Sequence, residues 1–374
     1  MAELYIGLMS GTSLDGIDGV LVDFDTSPPA GFRALAHAHR PFESELVAEL
    51  LALNTPGTNE LHRAALAANA LARIYASVTK SLLESSGVST RQVCAIGAHG
   101  QTVRHRPGEF DGTGYTHQLN NPALLAELTG LDVIADLRSR DLAAGGQGAP
   151  LVPAFHRAVF GQSDEDLAVL NLGGIGNLTA LHADGRTTGF DCGPGNALLD
   201  LWSQRHTGQR FDDRGAWAAS GQVDAPLLAA MSTEPYFAMP LPKSTGRDLF
   251  NAEWLDRFVV ARGGALKAVD VQATLAELTA AVCAEAVGQQ AARASTVLVC
   301  GGGAFNDHLM QRLAARLPGV TVQSTATRGL PPSEVEACAF AWLARAFVRR
   351  EPANLPSVTG ATGPRVLGAL YPAS

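Results

Sequence analysis

The chain opens with an apolar run at residues 4–8, a polar turn Met9-Ser10-Gly11-Thr12-Ser13-Leu14-Asp15-Gly16, and a second alternating run at 17–24. Alternation on both sides of a glycine-containing turn predicts strand, turn, strand. Residues 43–53 and 59–86 carry apolar positions at helical spacing. In the longer segment Leu61, Ala65, Ala68, Ala72, Tyr75 and Leu82 recur on one face, with Asn59 as the expected N-cap and Gly87 as the stop. Residues 93–98 read as a strand running into His99-Gly100-Gln101-Thr102, 122–129 as a short helix, 131–137 as a buried strand and 138–153 as loop.

The opening pattern then returns. Residues 167–172 predict a strand, Gly173-Gly174-Ile175-Gly176-Asn177 a glycine turn, and 178–182 a second strand. Asp191, at an expected strand end, is followed by Cys192-Gly193-Pro194-Gly195-Asn196 and a helix from about Ala197. Residues 271–292 form an alanine-rich helix with Asp270 placed to cap it. Residues 296–300, Gly301-Gly302-Gly303, 304–317 and 321–323 read as strand, glycine turn, helix, strand. A helix at 333–349 precedes a tail rich in glycine and proline at 360–369. Two halves that each open on a glycine hairpin predict a duplicated α/β architecture with a cleft between lobes. Ligands in such sheets sit at loop ends.

Composition narrows the class. The 374 residues are 46% apolar and 17% charged, which excludes a disordered chain and suits about two domains. A formal net charge of −8 argues against a nucleic-acid or anionic-membrane partner, while a locally basic pocket for an anionic small molecule stays open. Cys94, Cys192, Cys283, Cys300 and Cys338 are dispersed with no C-x-x-C pair, against a disulfide framework or a zinc ribbon. The first residues lack a basic n-region, and no run reaches ~18 apolar residues. The expectation is a soluble cytoplasmic protein with no membrane segment.

Several motifs carry chemistry, each beside a plainer reading. The Gly11–Asp18 turn offers backbone N–H groups and hydroxyls for an anion, and carboxylates for Mg²⁺ through water; equally, Asp-Gly is an ordinary hairpin signal. It lacks the lysine of a P-loop. Gly173-Gly174 with Asn177 is a weak signal alone, and its pairing with the first turn suggests a grip on a triphosphate. Gly301-Gly302-Gly303 suits a flat ring close to backbone, or close strand–helix packing. Asp191 is a candidate general base or a turn Asp. His99 is a substrate contact or a buried structural histidine. Glu336 is a substrate contact or, with Ser333, part of a capping box. Arg138 or Arg140 can clamp a carboxylate through two N–H groups, or be a surface arginine; Arg138 can also hold its loop by pairing with Asp136 or Asp141.

At Gly7-Leu8-Met9-Ser10-Gly11-Thr12-Ser13-Leu14-Asp15-Gly16-Ile17-Asp18 the chain resembles the anhydro-N-acetylmuramic acid kinase family. The resemblance continues through Gly97-Ala98-His99-Gly100-Gln101-Thr102-Val103-Arg104-His105, Asn121-Pro122-Ala123, Asp136, Arg138 and Ala144-Gly145-Gly146-Gln147-Gly148-Ala149-Pro150-Leu151. It goes on through Asp191-Cys192-Gly193-Pro194-Gly195-Asn196, Lys243-Ser244-Thr245-Gly246, Gln272-Ala273-Thr274-Leu275, Val299-Cys300-Gly301-Gly302-Gly303 and Gly368-Ala369-Leu370-Tyr371-Pro372. One departure is Gln118-Leu119-Asn120, where the family usually shows Gln-x-Gly; asparagine tolerates φ > 0 better than most residues.

The resemblance implies the actin/sugar-kinase/Hsp70-type ATPase fold. The expected first lobe is 1–137, with part of the C-terminal segment packing back on it, and the second is 138–374. It implies ATP, Mg²⁺ and a homodimer. The implied reaction hydrolyses the 1,6-anhydro ring of anhydro-N-acetylmuramic acid and phosphorylates O6, in peptidoglycan recycling. Nucleotide contacts fall to Gly11, Thr12, Ser13, Leu14, Asp15, Gly16, Ile17 and Asp18, to Gly173, Gly174 and Asn177, and to Gly301, Gly302 and Gly303 near adenosine. Asp18 is the carboxylate expected near Mg²⁺, through water. Asp191 is the expected base, taking a proton from the water that attacks C1. His99, Gln118, Asn121, Arg138 and Glu336 are the expected sugar contacts, with Arg138 first choice for the lactyl carboxylate. The other expectations weighed are a plain sugar 6-kinase, an ATP-regulated chaperone and a filament protein.

Overall fold

The computed structural model describes residues 3–25, 31–162, 164–247, 249–264 and 266–373. Among the described residues the strands are, in chain order, β1 Leu4–Met9, β2 Gly16–Asp23, β3 Arg33–Pro41, β4 Val93–Ala98, β5 Gln101–Pro107, β6 Gly114–Leu119, β7 Val133–Ala135, β8 Leu167–Leu172, β9 Ile175–Leu181, β10 Thr187–Pro194, β11 Thr296–Cys300, β12 Thr321–Ser324 and β13 Ala369–Tyr371. The chain divides into two compact units, one of Met1–Val159 with Glu334–Ser374 and one of Phe160–Ser333.

The first unit holds a sheet in the order β13-β7-β4-β1-β2-β3. β1 pairs antiparallel with β2 and parallel with β4, β2 pairs antiparallel with β3, and β4 pairs parallel with β7. β1 is buried at every position, as a strand covered on both faces must be. Leu4, Ile6 and Leu8 join Leu71, Tyr75 and Val78 of the Glu60–Ser86 helix in one core. On the other face the Val335–Val348 helix packs on β1, β2 and β4. β5 and β6 form a separate hairpin.

The second unit repeats the scheme in the order β10-β9-β8-β11-β12. Its first three strands are antiparallel neighbours, and β8, β11 and β12 run parallel. In both units, strands one to three make an antiparallel meander, and the fourth and fifth add parallel on the far side of the first. The duplication expected from the two glycine hairpins is therefore present in the strand order itself. The Ala268–Gln290 helix is buried nearly all round, from Val271 to Val287. A helix apolar on every face belongs inside, and here it packs on β9, β10 and several other helices.

Some local expectations are corrected. Asn59 does not cap its helix through its side chain, because it takes φ 55. Gly87 ends that helix in the left-handed region as expected. The strand expected over 131–137 is only Val133–Ala135, since Asp136 turns to φ 52. The 138–153 segment is not all loop: it contains the Ser139–Leu142 helix and the start of the Val152–Phe160 helix. Asp270 lies within the first turn of its helix, and its Oδ1 accepts from Gln222 N at 2.8 Å. The last long helix starts at Val335 with Glu334 at the cap position and no side-chain cap, so the Ser333/Glu336 capping box does not form its start. The tail adds a strand, β13, to the sheet edge beside β7.

Candidate active site

In the first unit the polar groups converge on the β1–β2 turn. Leu14 N–H donates to Gly11 O at 3.3 Å and closes the turn, with Leu14 at φ 57 and its side chain buried. Thr12, Ser13 and Asp15 are left exposed at the tip, and Ser13 Oγ donates to Asp15 Oδ1 at 2.7 Å. Gly16 and Ile17 already belong to β2; the Ile17 side chain is in the core, so only its backbone is available to a ligand. Asp18 Oδ1 accepts from His37 Nε2 at 3.0 Å and from His39 Nδ1 at 3.1 Å. The Asp18 hydrogen bond holds His37 protonated to higher pH than usual.

Behind the turn, buried Ser10 is fixed by Tyr75. The two hydroxyls are 3.2 Å apart, and Gly100 N–H donates to Tyr75 Oη at 3.1 Å. His99 Nδ1 sits 3.2 Å from Ser10 O, while its Nε2 accepts from Arg138 Nε at 3.2 Å. Arg138 Nη2 lies 2.9 Å from the same Nε2, and Nη1 donates to Gly148 O at 2.8 Å. Burial, aided by the guanidinium, pushes His99 down to about 3. The ring is therefore neutral, with its proton on Nδ1 toward Ser10. Gly148 is held in turn by Asp141, whose Oδ2 accepts from Gly148 N at 2.8 Å. Asp141 Oδ1 accepts from Asn354 Nδ2 at 2.6 Å and Thr359 Oγ1 at 2.8 Å, so the C-terminal segment fastens this loop.

The other expected sugar contacts are more dispersed. Gln118 Nε2 donates to Thr116 Oγ1 at 2.7 Å within the β5–β6 hairpin. Asn121 caps the Pro122–Thr129 helix, with Oδ1 accepting from Leu124 N at 3.0 Å, and it donates to Asn69 Oδ1 at 2.6 Å. Glu336 lies in the first turn of the Val335–Val348 helix. Asn120 is not at positive φ, so the turn persists without the asparagine's tolerance for that region.

In the second unit one rung of the sheet gathers the candidates. Asp191 of β10 is paired with Asn177 of β9, Asn177 with Asn171 of β8, and Asn171 with Cys300 of β11. Gly173-Gly174 and Gly301-Gly302-Gly303 follow β8 and β11 directly, so both glycine turns lie at the carboxyl end of parallel neighbours. That is the usual ligand edge of such a sheet. Two expectations shift here. Asp191 is inside β10 and not at its end, at a register break before Gly193. The glycine turn is only Gly173-Gly174, because Ile175, Gly176 and Asn177 are already in β9. The turn carbonyls cap the Asn196–Thr207 helix: Asn196 N–H donates to Gly173 O at 2.8 Å and Ala197 N–H to Gly174 O at 3.0 Å.

Asp191 is held at both ends. Thr245 N–H donates to its Oδ2 at 3.0 Å, and Tyr236 Oη donates to its carbonyl at 2.7 Å. Burial, and then the Asp191 charge, keep Tyr236 protonated. Lys243 Nζ donates to Phe237 O at 2.9 Å, and its ammonium lies 4.9 Å from the Tyr236 ring centre. Thr245, Tyr236 and Asp141 were not singled out for these roles by sequence reasoning. Apart from Gly148, seven residues from Asp141, their partners lie dozens of residues away, and only the Lys243-Ser244-Thr245-Gly246 motif hinted at one of them.

The strand order and its repetition define the class: the duplicated α/β fold of the actin, sugar-kinase and Hsp70-type ATPases. Residues 3–373 match the sequence profile of the family described as anhydro-N-acetylmuramic acid kinase, and the chain belongs to that family. A protein of that name from Variovorax paradoxus is 63% identical over 376 residues, spanning 99% of each chain. Another, from Albidiferax ferrireducens, is 60% identical over 393 residues and spans 100% of each. A third, from Cupriavidus metallidurans, is 59% identical over 375 residues, spanning 99% of this chain and 98% of that one.

Proposed function

We propose that this chain is an ATP-dependent kinase that opens the 1,6-anhydro ring of anhydro-N-acetylmuramic acid and phosphorylates O6, releasing N-acetylmuramic acid 6-phosphate and ADP. Family membership over residues 3–373 supports the reaction. The observation that carries its chemistry is the rung Asp191–Asn177–Asn171–Cys300, which runs from Asp191 to the two strands that end in the glycine turns.

Asp191 takes a proton from a water whose oxygen attacks C1. The C1–O6 bond breaks, and O6 takes the γ-phosphoryl group as ADP leaves. Phosphoryl capture of O6 replaces the general acid that an inverting glycosidase uses. Thr245 N–H orients the Asp191 carboxylate. The phosphates are assigned to the Gly11–Asp18 turn and to Gly173-Gly174 with Asn177, and adenosine to Gly301, Gly302 and Gly303. His99, Gln118, Asn121, Arg138 and Glu336 are assigned to the sugar.

No group of three or more His, Cys, Asp or Glu side chains fit to hold a metal occurs among the described residues. That suits Mg²⁺, which is commonly held by one or two carboxylates, waters and substrate phosphates. Asp18, a hard oxygen donor beside the phosphate turn, is the residue assigned near it. When bound, Mg²⁺ neutralises phosphate charge. Removing it with EDTA should abolish turnover, and added Mg²⁺ should restore it. We assign a homodimer, to be checked by light scattering. The cytoplasm is the assigned compartment, in keeping with cysteines that form no disulfide. No helix among the described residues is long and apolar enough to cross a membrane.

The test is ADP release with the anhydro sugar and with open N-acetylmuramic acid offered side by side. The anhydro form should be turned over. Turnover of the open sugar alone would replace the reading with a plain 6-kinase.

A further inference from the structure

Buried polar atoms are nearly always hydrogen-bonded, because an unmet one keeps its full desolvation cost. Asn120 breaks that rule completely: both Oδ1 and Nδ2 are buried with no partner in the protein. Gln101 breaks it in part. Its Nε2 donates to Gly11 O at 3.1 Å, but its Oε1 is buried and unpartnered, in a residue only 1% exposed.

The two amides belong to one place. Gln101 opens β5 and pairs with Leu119, the residue before Asn120. Opposite Asn120 stands Gly100, where an added Cβ would lie 3.3 Å from Asn120 Cβ. This end of the hairpin therefore adjoins His99 and, through Gln101, the Gly11 turn. The unmet set is two acceptors, Gln101 Oε1 and Asn120 Oδ1, and one donor, the Asn120 NH₂. A phosphate or carboxylate, being acceptor-only, answers the donor alone. A group that both donates and accepts answers all three, as sugar hydroxyls or an acetamido group do.

We infer that the Asn120 carboxamide, with Gln101 Oε1, is a sugar-recognition site, binding the uncharged hydroxyl or acetamido face of the amino sugar and not the nucleotide. This rests on the proposed function. It assigns a role to a side chain at a position where the resembling family usually has glycine and so offers none.

The experiment compares wild type, Asn120→Ala and Asn120→Ser by ADP release at varied sugar and varied ATP, together with thermal unfolding of each without ligand. Asn120→Ala should raise the sugar KM about tenfold, as loss of one or two neutral hydrogen bonds does, and leave the ATP KM within about twofold. Its Tm should hold or rise, because an unpaired buried amide has been removed. Asn120→Ser, which keeps a donor and an acceptor at shorter reach, should recover part of the sugar KM. An unchanged sugar KM in Asn120→Ala, an equal rise in the ATP KM, or a fall in Tm would each overturn the inference while leaving the kinase reading standing. A wild-type protein that released no ADP with the anhydro sugar would remove that reading and this inference with it. If Asn120→Ala does not fold, calorimetric titration of Asn120→Ser with sugar alone decides: affinity equal to wild type overturns the inference.

Discussion

Gly7 of β1 faces Ala337 so closely that a Cβ at Gly7 would lie 1.8 Å from the Ala337 carbonyl oxygen and 2.6 Å from Ala341 N. The contact is backbone against backbone, so no side-chain rotation relieves it. Gly97 on β4 is equally tight, its Cβ falling 2.0 Å from Phe340 O. The C-terminal helix therefore rests directly on the middle of the first sheet. Gly7→Ala should push the helix away and destabilise the first unit by about 1–3 kcal/mol or more, measured by urea unfolding. A change under about 0.5 kcal/mol would show that the helix has slack.

Other glycines answer a different question. A Cβ at Gly11 would meet nothing nearer than Ser13 Oγ at 3.6 Å, which is ordinary contact. At Gly301, φ is 76 and the Cβ would lie 2.4 Å from Asn171 Oδ1; at Gly303 it would lie 2.5 Å from Leu172 Cβ. The protein itself demands glycine at 301 and 303 but not at 11. Gly11→Val should leave Tm nearly unchanged and raise the ATP KM sharply, whereas Gly303→Ala should lower Tm. If Gly11→Val binds nucleotide like wild type, the first turn is only a hairpin.

Asp191→Asn keeps an oxygen to accept from Thr245 N–H but no longer takes a proton. The expected loss in kcat is about 10²–10⁴-fold, with ATP and sugar still bound in calorimetry. Near-normal turnover would remove Asp191 from the role of base.

Arg138 spends its fork on His99 and Gly148 O. Lysine keeps the charge but not the geometry. Arg138→Lys should raise the sugar KM and leave the ATP KM nearly unchanged. It should also release His99 from its Nδ1–H tautomer, visible in ¹⁵N spectra of the imidazole. Joint loss of ATP and sugar binding through unfolding would mean that Arg138 serves the loop alone.

His99 and His156 are fully buried, and burial pushes both down to about 3. The unfolded chain binds those protons near pH 6.5, the folded one only near 3. The neutral rings thus contribute stability that is complete above about 6.5 and is lost as pH falls from there toward 3, at about 1.4 kcal/mol per pH unit for each histidine. Denaturant titrations between about pH 6 and 4 should show this slope. His156→Gln should reduce it by one histidine's share, and an unchanged slope would place the proton uptake elsewhere.

Much of the fold was legible because its signals are local. Apolar runs around Gly11 and Gly173 marked two hairpins, the apolar-periodic stretch to Gly87 marked a long helix, and family motifs from Gly7 to Pro372 tied these to a duplicated ATPase fold. The bounds that failed did so where one residue's backbone was decided by its surroundings: Asn59 and Asp136 at positive φ, and β9 starting at Ile175 once its pairing with β8 and β10 set in. Residue types alone named Asp191, His99 and Arg138 as candidates. Only the tertiary structure decided that Arg138 and Ser10 fix the tautomer of His99, that Thr245 orients Asp191, that Asp141 answers to Asn354 and Thr359, and that Asn120 has no partner. Each of those depends on hydrogen bonds between residues far apart in sequence, or on their absence. Such directional contacts between distant groups leave no periodicity in a sequence; they exist once strand pairing and helix packing have brought the groups within about 3 Å of one another.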